Sequence, residues 1–174
     1  MVHGFTEHKI HENGALYCIF NKFIVPTAMS QKESRHTYDS LKIGDIHEIH
    51  RFVSEDDVLT FARITGDDNP IHVDEKYAQS TRFGHRVVHG VLQLGLISKV
   101  LGRDFPGSGS IAVSISCRFL RPVRVNSEVR VSVKIIEKLE KRGYVKAETN
   151  IYTENNKLAL AGEATIIPPR EDAP

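Results

Sequence analysis

The sequence predicts an α+β fold in which one antiparallel sheet wraps around one long buried helix. Residues 91–101 read Val-Leu-Gln-Leu-Gly-Leu-Ile-Ser-Lys-Val-Leu, apolar on almost every face, and such a helix needs protein around it. Four strand-like runs follow, Ile111–Leu120, Ser127–Leu139, Tyr144–Thr153 and Leu158–Ile167. Glu140-Lys141-Arg142-Gly143 and Asn155-Asn156 supply hairpin turns between them. A helix lacking a polar face, followed by a meander, buries itself when the sheet curls around it.

The helix expected at about 91–101 is far shorter than the ~20 residues of a membrane span. Upstream, Leu41-Lys42-Ile43-Gly44-Asp45 leads by a turn into Ile46–Val53, which alternates as a strand does. Ser54 with Asp57 three residues later is an N-cap with an acidic partner. Val58, Phe61, Ala62 and Thr65 then recur at helical spacing until Gly66 stops the helix. Asp67–His72 is the loop that leaves it, and Asp74 can cap a second short helix carrying Tyr77 and Ala78. Within the meander, Val129, Val131, Val133 and Ile135 alternate with Arg130, Ser132 and Lys134, giving one dry and one wet face.

One ordinary domain fits 174 residues, with 40% apolar and 26% charged content. We place it at residues 38–168, between an N-terminal extension, 1–37, without sustained period and a short tail, 169–174. The extension has an apolar patch from Ala15 to Met29, but Glu7, Glu12 and Lys22 break the order of a secretory signal. Its acids and single Arg35 are equally unlike a mitochondrial presequence, and Met29 could itself begin a complete domain. A formal net charge of +1 exerts no global pull toward nucleic acid or membrane. Cys18 and Cys117 sit in no metal or redox spacing. They fit a reducing compartment, the cytoplasm or a mitochondrial matrix.

The chemistry concentrates in two segments. Gly66-Asp67-Asp68-Asn69-Pro70-Ile71-His72 sets a carboxylate and an imidazole five positions apart on a turn stiffened by proline and asparagine. Val87-Val88-His89-Gly90 then opens the apolar helix with a glycine whose N–H can face a ligand. An acid–base pair beside a pocket for a developing oxyanion suits addition of water to an acyl thioester, or its removal. His72, His85 and His89 lie close in sequence, yet Gly84, Val87 and Val88 make a poor helix and no carboxylate completes a zinc set. No metal is expected there.

Asp67-x-Asn69-Pro70-x-His72, Val88-His89-Gly90 and Gly107-x-Gly109-Ser110-Ile111 together resemble the (R)-specific enoyl-CoA hydratases and MaoC-like dehydratases, which share the hot-dog fold. The resemblance runs from about Tyr38 to Pro168 and leaves the first 37 residues without a counterpart. It implies that Asp67 and His72 are the catalytic pair and that the Gly90 N–H meets the thioester carbonyl. It implies too that Ser98, two turns along the helix, supports Asp67. A homodimer is implied, with substrate carried by coenzyme A or acyl carrier protein, no further cofactor, and a (3R)-hydroxy product. Candidates for substrate binding are Asn69, His89, Arg82 and Arg86, the arginines through phosphate. Arg118, Arg121, Arg124 and Arg130 form a second basic set, an exit rim or the docking face of an acidic carrier protein. A hot-dog thioesterase or a non-catalytic acyl-CoA binder would keep the fold, but neither needs the paired acid and base.

Overall fold

The computed structural model describes residues 34–170 throughout and, within residues 1–33, three strands. These are β1 (Glu7–Ile10), β2 (Leu16–Phe20) and β3 (Phe23–Pro26), an antiparallel sheet in the order β1-β2-β3. They occur where the sequence shows no sustained period. The rest of residues 1–33, and the tail from 171, lie outside the described residues. The chain divides into two compact units, Met1–Glu33 and Ser34–Pro174. The second unit begins ahead of Tyr38 because Ser34–Thr37 is bonded into it. Ser108 N–H donates to the Ser34 carbonyl at 3.1 Å, and His36 N–H to that of Pro106 at 2.8 Å.

The second unit starts with β4 (Ile46–Val53) and α1 (Glu55–Thr65). Ser54 caps α1 as expected, with a full capping box to Asp57, and Gly66 ends it in the left-handed region at φ 77°. Two short helices follow, α2 (Pro70–Val73) and α3 (Glu75–Gln79), the second capped by Asp74. The segment after Asp67 is thus a helical turn rather than a plain loop. Asn69 accepts from Ile71 N–H while Pro70 takes the first position, where a missing N–H costs nothing.

α4 (Gly90–Lys99) is the central helix, and it widens into a π-helical turn, Val100–Asp104. Four long strands complete the unit: β5 (Ile111–Phe119), β6 (Ser127–Leu139), β7 (Tyr144–Thr153) and β8 (Leu158–Ile167). The sheet runs β4-β6-β7-β8-β5, antiparallel throughout. Val129, Val131, Val133 and Ile135 of β6 are wholly buried and join Ile151, Leu160 and Ile166 beneath Ile97, Val100 and Leu101. Ser132, expected on the wet face, is only 7% exposed. Its short side chain lies between its cross-strand partners Glu48 and Asn150, which are longer. Among the described residues no helix is long and apolar enough to cross a membrane.

Within one chain the central helix is not enclosed. Gln93 and Ile97 are buried, but Val91, Gly95 and Ser98 are exposed. Beside this open side the edge strand β5 exposes Ile111, Val113 and Phe119. The sheet covers one side of the helix and leaves Val91, Gly95 and Ser98 on the other side exposed.

Gly107 joins the start of the unit to the turn ahead of β5. It adopts φ 102°, and a Cβ there would stand 1.8 Å from the Ser34 carbonyl oxygen. Left-handed backbone alone costs a non-glycine residue about 1–3 kcal/mol, and the clash with backbone adds to it. Gly107→Ala is therefore expected to lower the thermal unfolding midpoint by several degrees, whereas Gly143→Ala, strained but in open space, should cost less. Paired melting curves check this.

Candidate active site

The end of α1 and the start of α4 bring the site together. After Gly66 the chain turns so that Asp67 N–H donates to Thr65 Oγ1 at 3.2 Å. The α2 turn then carries His72 back toward the segment ahead of α4. There His72 Nδ1 meets the Val87 carbonyl at 2.7 Å, while Val87 N–H donates to the Ile71 carbonyl at 3.2 Å and Val88 N–H to that of Val123 at 2.8 Å. These bonds pin residues 87 and 88 and so place His89 and Gly90.

A carbonyl only accepts, so Nδ1 of His72 carries the proton and Nε2 keeps its lone pair. Burial pushes the His72 imidazole below its ordinary range, and the neighbouring His89 works the same way; the Val87 carbonyl and Asp67 oppose them. His72 is a neutral base at physiological pH.

His89 is the residue whose role the sequence least revealed. It is 2% exposed and precedes the first turn of α4. Its Nε2 donates to the Asp67 backbone carbonyl at 3.0 Å. Its ring lies 3.9 Å from that of His72, inclined by 30°, and 4.8 Å from that of Phe61. Expected to line the pocket or to pack at the helix start, it does the second, holding the Asp67 carbonyl and the His72 ring there. The available signal was a histidine directly before the glycine of an apolar helix.

Donor atoms of Asp67, His72 and His89 all lie within 4.8 Å of one another. The sequence weighed His85 in such a group, but the structure puts Asp67 there, and His85 Nδ1 faces the Arg86 carbonyl. Two imidazoles and a carboxylate are a ligand set that a divalent cation accepts. One member of that set is already engaged, since His89 Nε2 donates to the Asp67 carbonyl and a nitrogen that carries a proton cannot ligate.

Gly90 begins α4, and His89 offers no side-chain cap to the first turn, so its N–H groups and the positive helix end face outward. A Cβ on Gly90 would meet the Phe119 ring at 2.8 Å, so only glycine lets that ring lie against the helix start. A cavity of about 460 Å³ opens here, bordered by Gly90, Gln93, Val91, Phe83, Phe119 and the exposed Arg82 and Arg121.

Other expected residues lie elsewhere. Asn69 spends its side-chain oxygen capping α2. Arg86, 11% exposed, is clamped by Glu55 at 2.7 Å and Glu75 at 3.1 Å, and its hydrogen bond holds Glu75 below the usual carboxylate range. That guanidinium is already neutralised and ties α1 to α3, so it does not serve as a free phosphate ligand. Arg82 remains open, its guanidinium 4.9 Å from the Phe83 ring centre. Ser98 stands on the open side of α4, about 12 Å along the axis from Gly90, and no hydrogen bond among the described residues joins it to Asp67 within this chain. Of the second basic set, Arg130 is occupied by Glu48, Asn156 and the Tyr152 ring; Arg118, Arg121 and Arg124 are exposed, with Arg121 Nη1 donating to the Leu158 carbonyl at 2.7 Å.

The family described as MaoC like domain matches residues 40–156 of the chain. Over 134 residues the chain is 37% identical to a Rhodospirillum rubrum protein named (R)-specific enoyl-CoA hydratase, covering 77% of this chain and 92% of that one. It is 33% identical over 135 residues to an Arabidopsis thaliana protein named 3-hydroxyacyl-[acyl-carrier-protein] dehydratase, mitochondrial, covering 76% and 80%. Among solved structures it is similar to an unliganded R-hydratase from Pseudomonas aeruginosa, with a TM-score of 0.75 and 35% identity over 79% of this chain and 88% of that one.

The lowered His72 pKa can be observed directly. Its ring should titrate below the ~6.5 of an ordinary imidazole in a pH series of NMR spectra, with Nδ1 protonated above the transition. The native state then binds fewer protons than the unfolded chain, so His72 makes stability fall as pH drops from ~6.5 through its own folded value.

Proposed function

From the premise that the chain belongs to the MaoC-like dehydratase family, whose fold it shares, we propose that it reversibly hydrates trans-2-enoyl thioesters to (3R)-3-hydroxyacyl thioesters. The observation that carries this reading is the neutral His72, with Nε2 free, stacked within reach of Asp67 at the open start of α4.

Water held between Asp67 and His72 Nε2 loses a proton to the imidazole as its oxygen attacks C3. Electron density moves through C2 onto the thioester oxygen. There it meets the Gly90 N–H and the positive end of α4, a donor typically worth about 3 kcal/mol in the transition state. The proton taken from water returns at C2 through the dyad, so both groups end as they began. Dehydration runs the same steps backward. Coenzyme A and acyl carrier protein present the thioester on the same phosphopantetheine arm, and the open Arg82 beside the cavity suits its phosphate.

The second part of the reading is a homodimer. The exposed side of α4 adjoins an exposed apolar edge strand, with Val91 and Ile111 each 60% exposed and Phe119 53%. An unpaired edge and an uncovered apolar face are both covered by a second copy. Ser98 lies on that face, so we assign its support of Asp67 to the assembled dimer rather than to the single chain.

Asp67→Asn and His72→Ala should each lower kcat for crotonyl-CoA hydration by about 10²–10⁴ without unfolding the protein, while Asp68→Asn changes little. Chelators should leave the wild-type rate unchanged. Loss of enoyl-thioester absorbance reads the reaction, and thiol release in its place would mean a thioesterase. Both variants keeping most of the activity would remove Asp67 and His72 from the chemistry. Sedimentation at micromolar concentration should show a dimer, and Val91→Asp should shift it toward monomer with loss of activity.

A further inference from the structure

Gln93 is a polar residue on the buried side of an otherwise apolar helix. It is 3% exposed, and its Oε1 has no hydrogen-bond partner among the described residues. A buried amide oxygen without a donor costs free energy until one reaches it. Gln93 borders the same cavity as Gly90 and stands one turn further along α4, about 4.5 Å by the helical rise. The other borders are apolar, Val91, Phe83 and Phe119, or basic and exposed, Arg82 and Arg121.

We propose that this cavity receives the phosphopantetheine arm and that Gln93 Oε1 accepts the hydrogen of the arm's first amide, so that Gln93 positions the thioester on Gly90. This rests on the hydratase reading and deepens it. Two methylenes separate the thioester sulfur from that amide nitrogen, a span comparable to the rise between Gly90 and Gln93. With the thioester oxygen on the Gly90 N–H, the amide N–H comes beside Oε1. The apolar walls match the methylenes, and the open Arg82 matches the terminal phosphate. Gln93 meets no reacting atom; it acts by holding the arm in register.

The test compares two short substrates on the whole protein, crotonyl-N-acetylcysteamine and the 2-acetoxyethyl thioester of crotonate. They differ only in an N–H replaced by oxygen. The wild type should show a kcat/KM about tenfold higher for the amide, the scale of one hydrogen bond, expressed mainly in KM. Gln93→Leu should remove that preference, bringing kcat/KM for the amide down about tenfold toward that for the acetoxyethyl substrate. A wild type that favours neither short thioester would overturn the proposal even if Gln93→Leu fails to fold, as would a variant that loses equally on both. Crotonyl-CoA and crotonyl-acyl carrier protein, run alongside, show which carrier supplies the arm. Turnover of neither would sink the hydratase reading itself, and this inference with it.

Discussion

The site depends on one buried imidazole. His89 is the last residue before α4, its Nε2 bonds the Asp67 carbonyl, and its ring lies against that of His72. The Asp67 carboxylate, the His72 imidazole and the Gly90 N–H come from three different elements, α1's exit, α2 and the start of α4. None of these is long, and two are irregular. Their mutual placement needs a rigid piece that touches all three, and a flat aromatic ring with two polar atoms does this with little side-chain entropy to lose. The bonds of Val87 and Val88 hold that ring from the other side.

The fold contributes stability on one face of α4 and reactivity at its end. Ile97, Val100 and Leu101 pack into the valine rows of β6, so the helix is anchored along its length and its N-terminus is held without a side-chain cap. An uncapped, immobile helix start is an electrostatic device that water reorganisation would otherwise have to supply. The open face of the same helix, continuous with the edge strand β5, ties this device to assembly: the surface a second copy would cover runs directly beside the cavity at Gly90.

Several polar side chains away from Gly90 are spent on local structure: Asn69 caps α2, Arg86 pairs with Glu55 and Glu75, and Ser54 pairs with Asp57. Around Gly90, His89 Nδ1 and Gln93 Oε1 are left without partners among the described residues. Tyr38 Oη, Ser110 Oγ and Thr149 Oγ1 share that condition elsewhere, so what sets His89 and Gln93 apart is their place beside Gly90, where a bound molecule can supply the missing partner.

The sequence by itself determined most elements of the second unit, though not β1–β3 or the α2 turn. Alternation and turn signals set β4, β6, β7 and β8 to their observed bounds, Ser54 and Gly66 bracket α1, and the Asp67–His72 spacing with Gly90 points to the proposed chemistry, because these depend on neighbours a few residues apart. Contacts between distant residues were decided only by tertiary structure. Nothing local distinguishes Arg82, left open, from Arg86, neutralised by Glu55 and Glu75. Nothing local says that His89 would serve Asp67 twenty-two residues away instead of the substrate. The same holds for α4, whose composition reads as buried on every side. Composition reports how much apolar surface must be covered, but whether the chain's own sheet or a second copy covers it depends on how far one sheet can wrap.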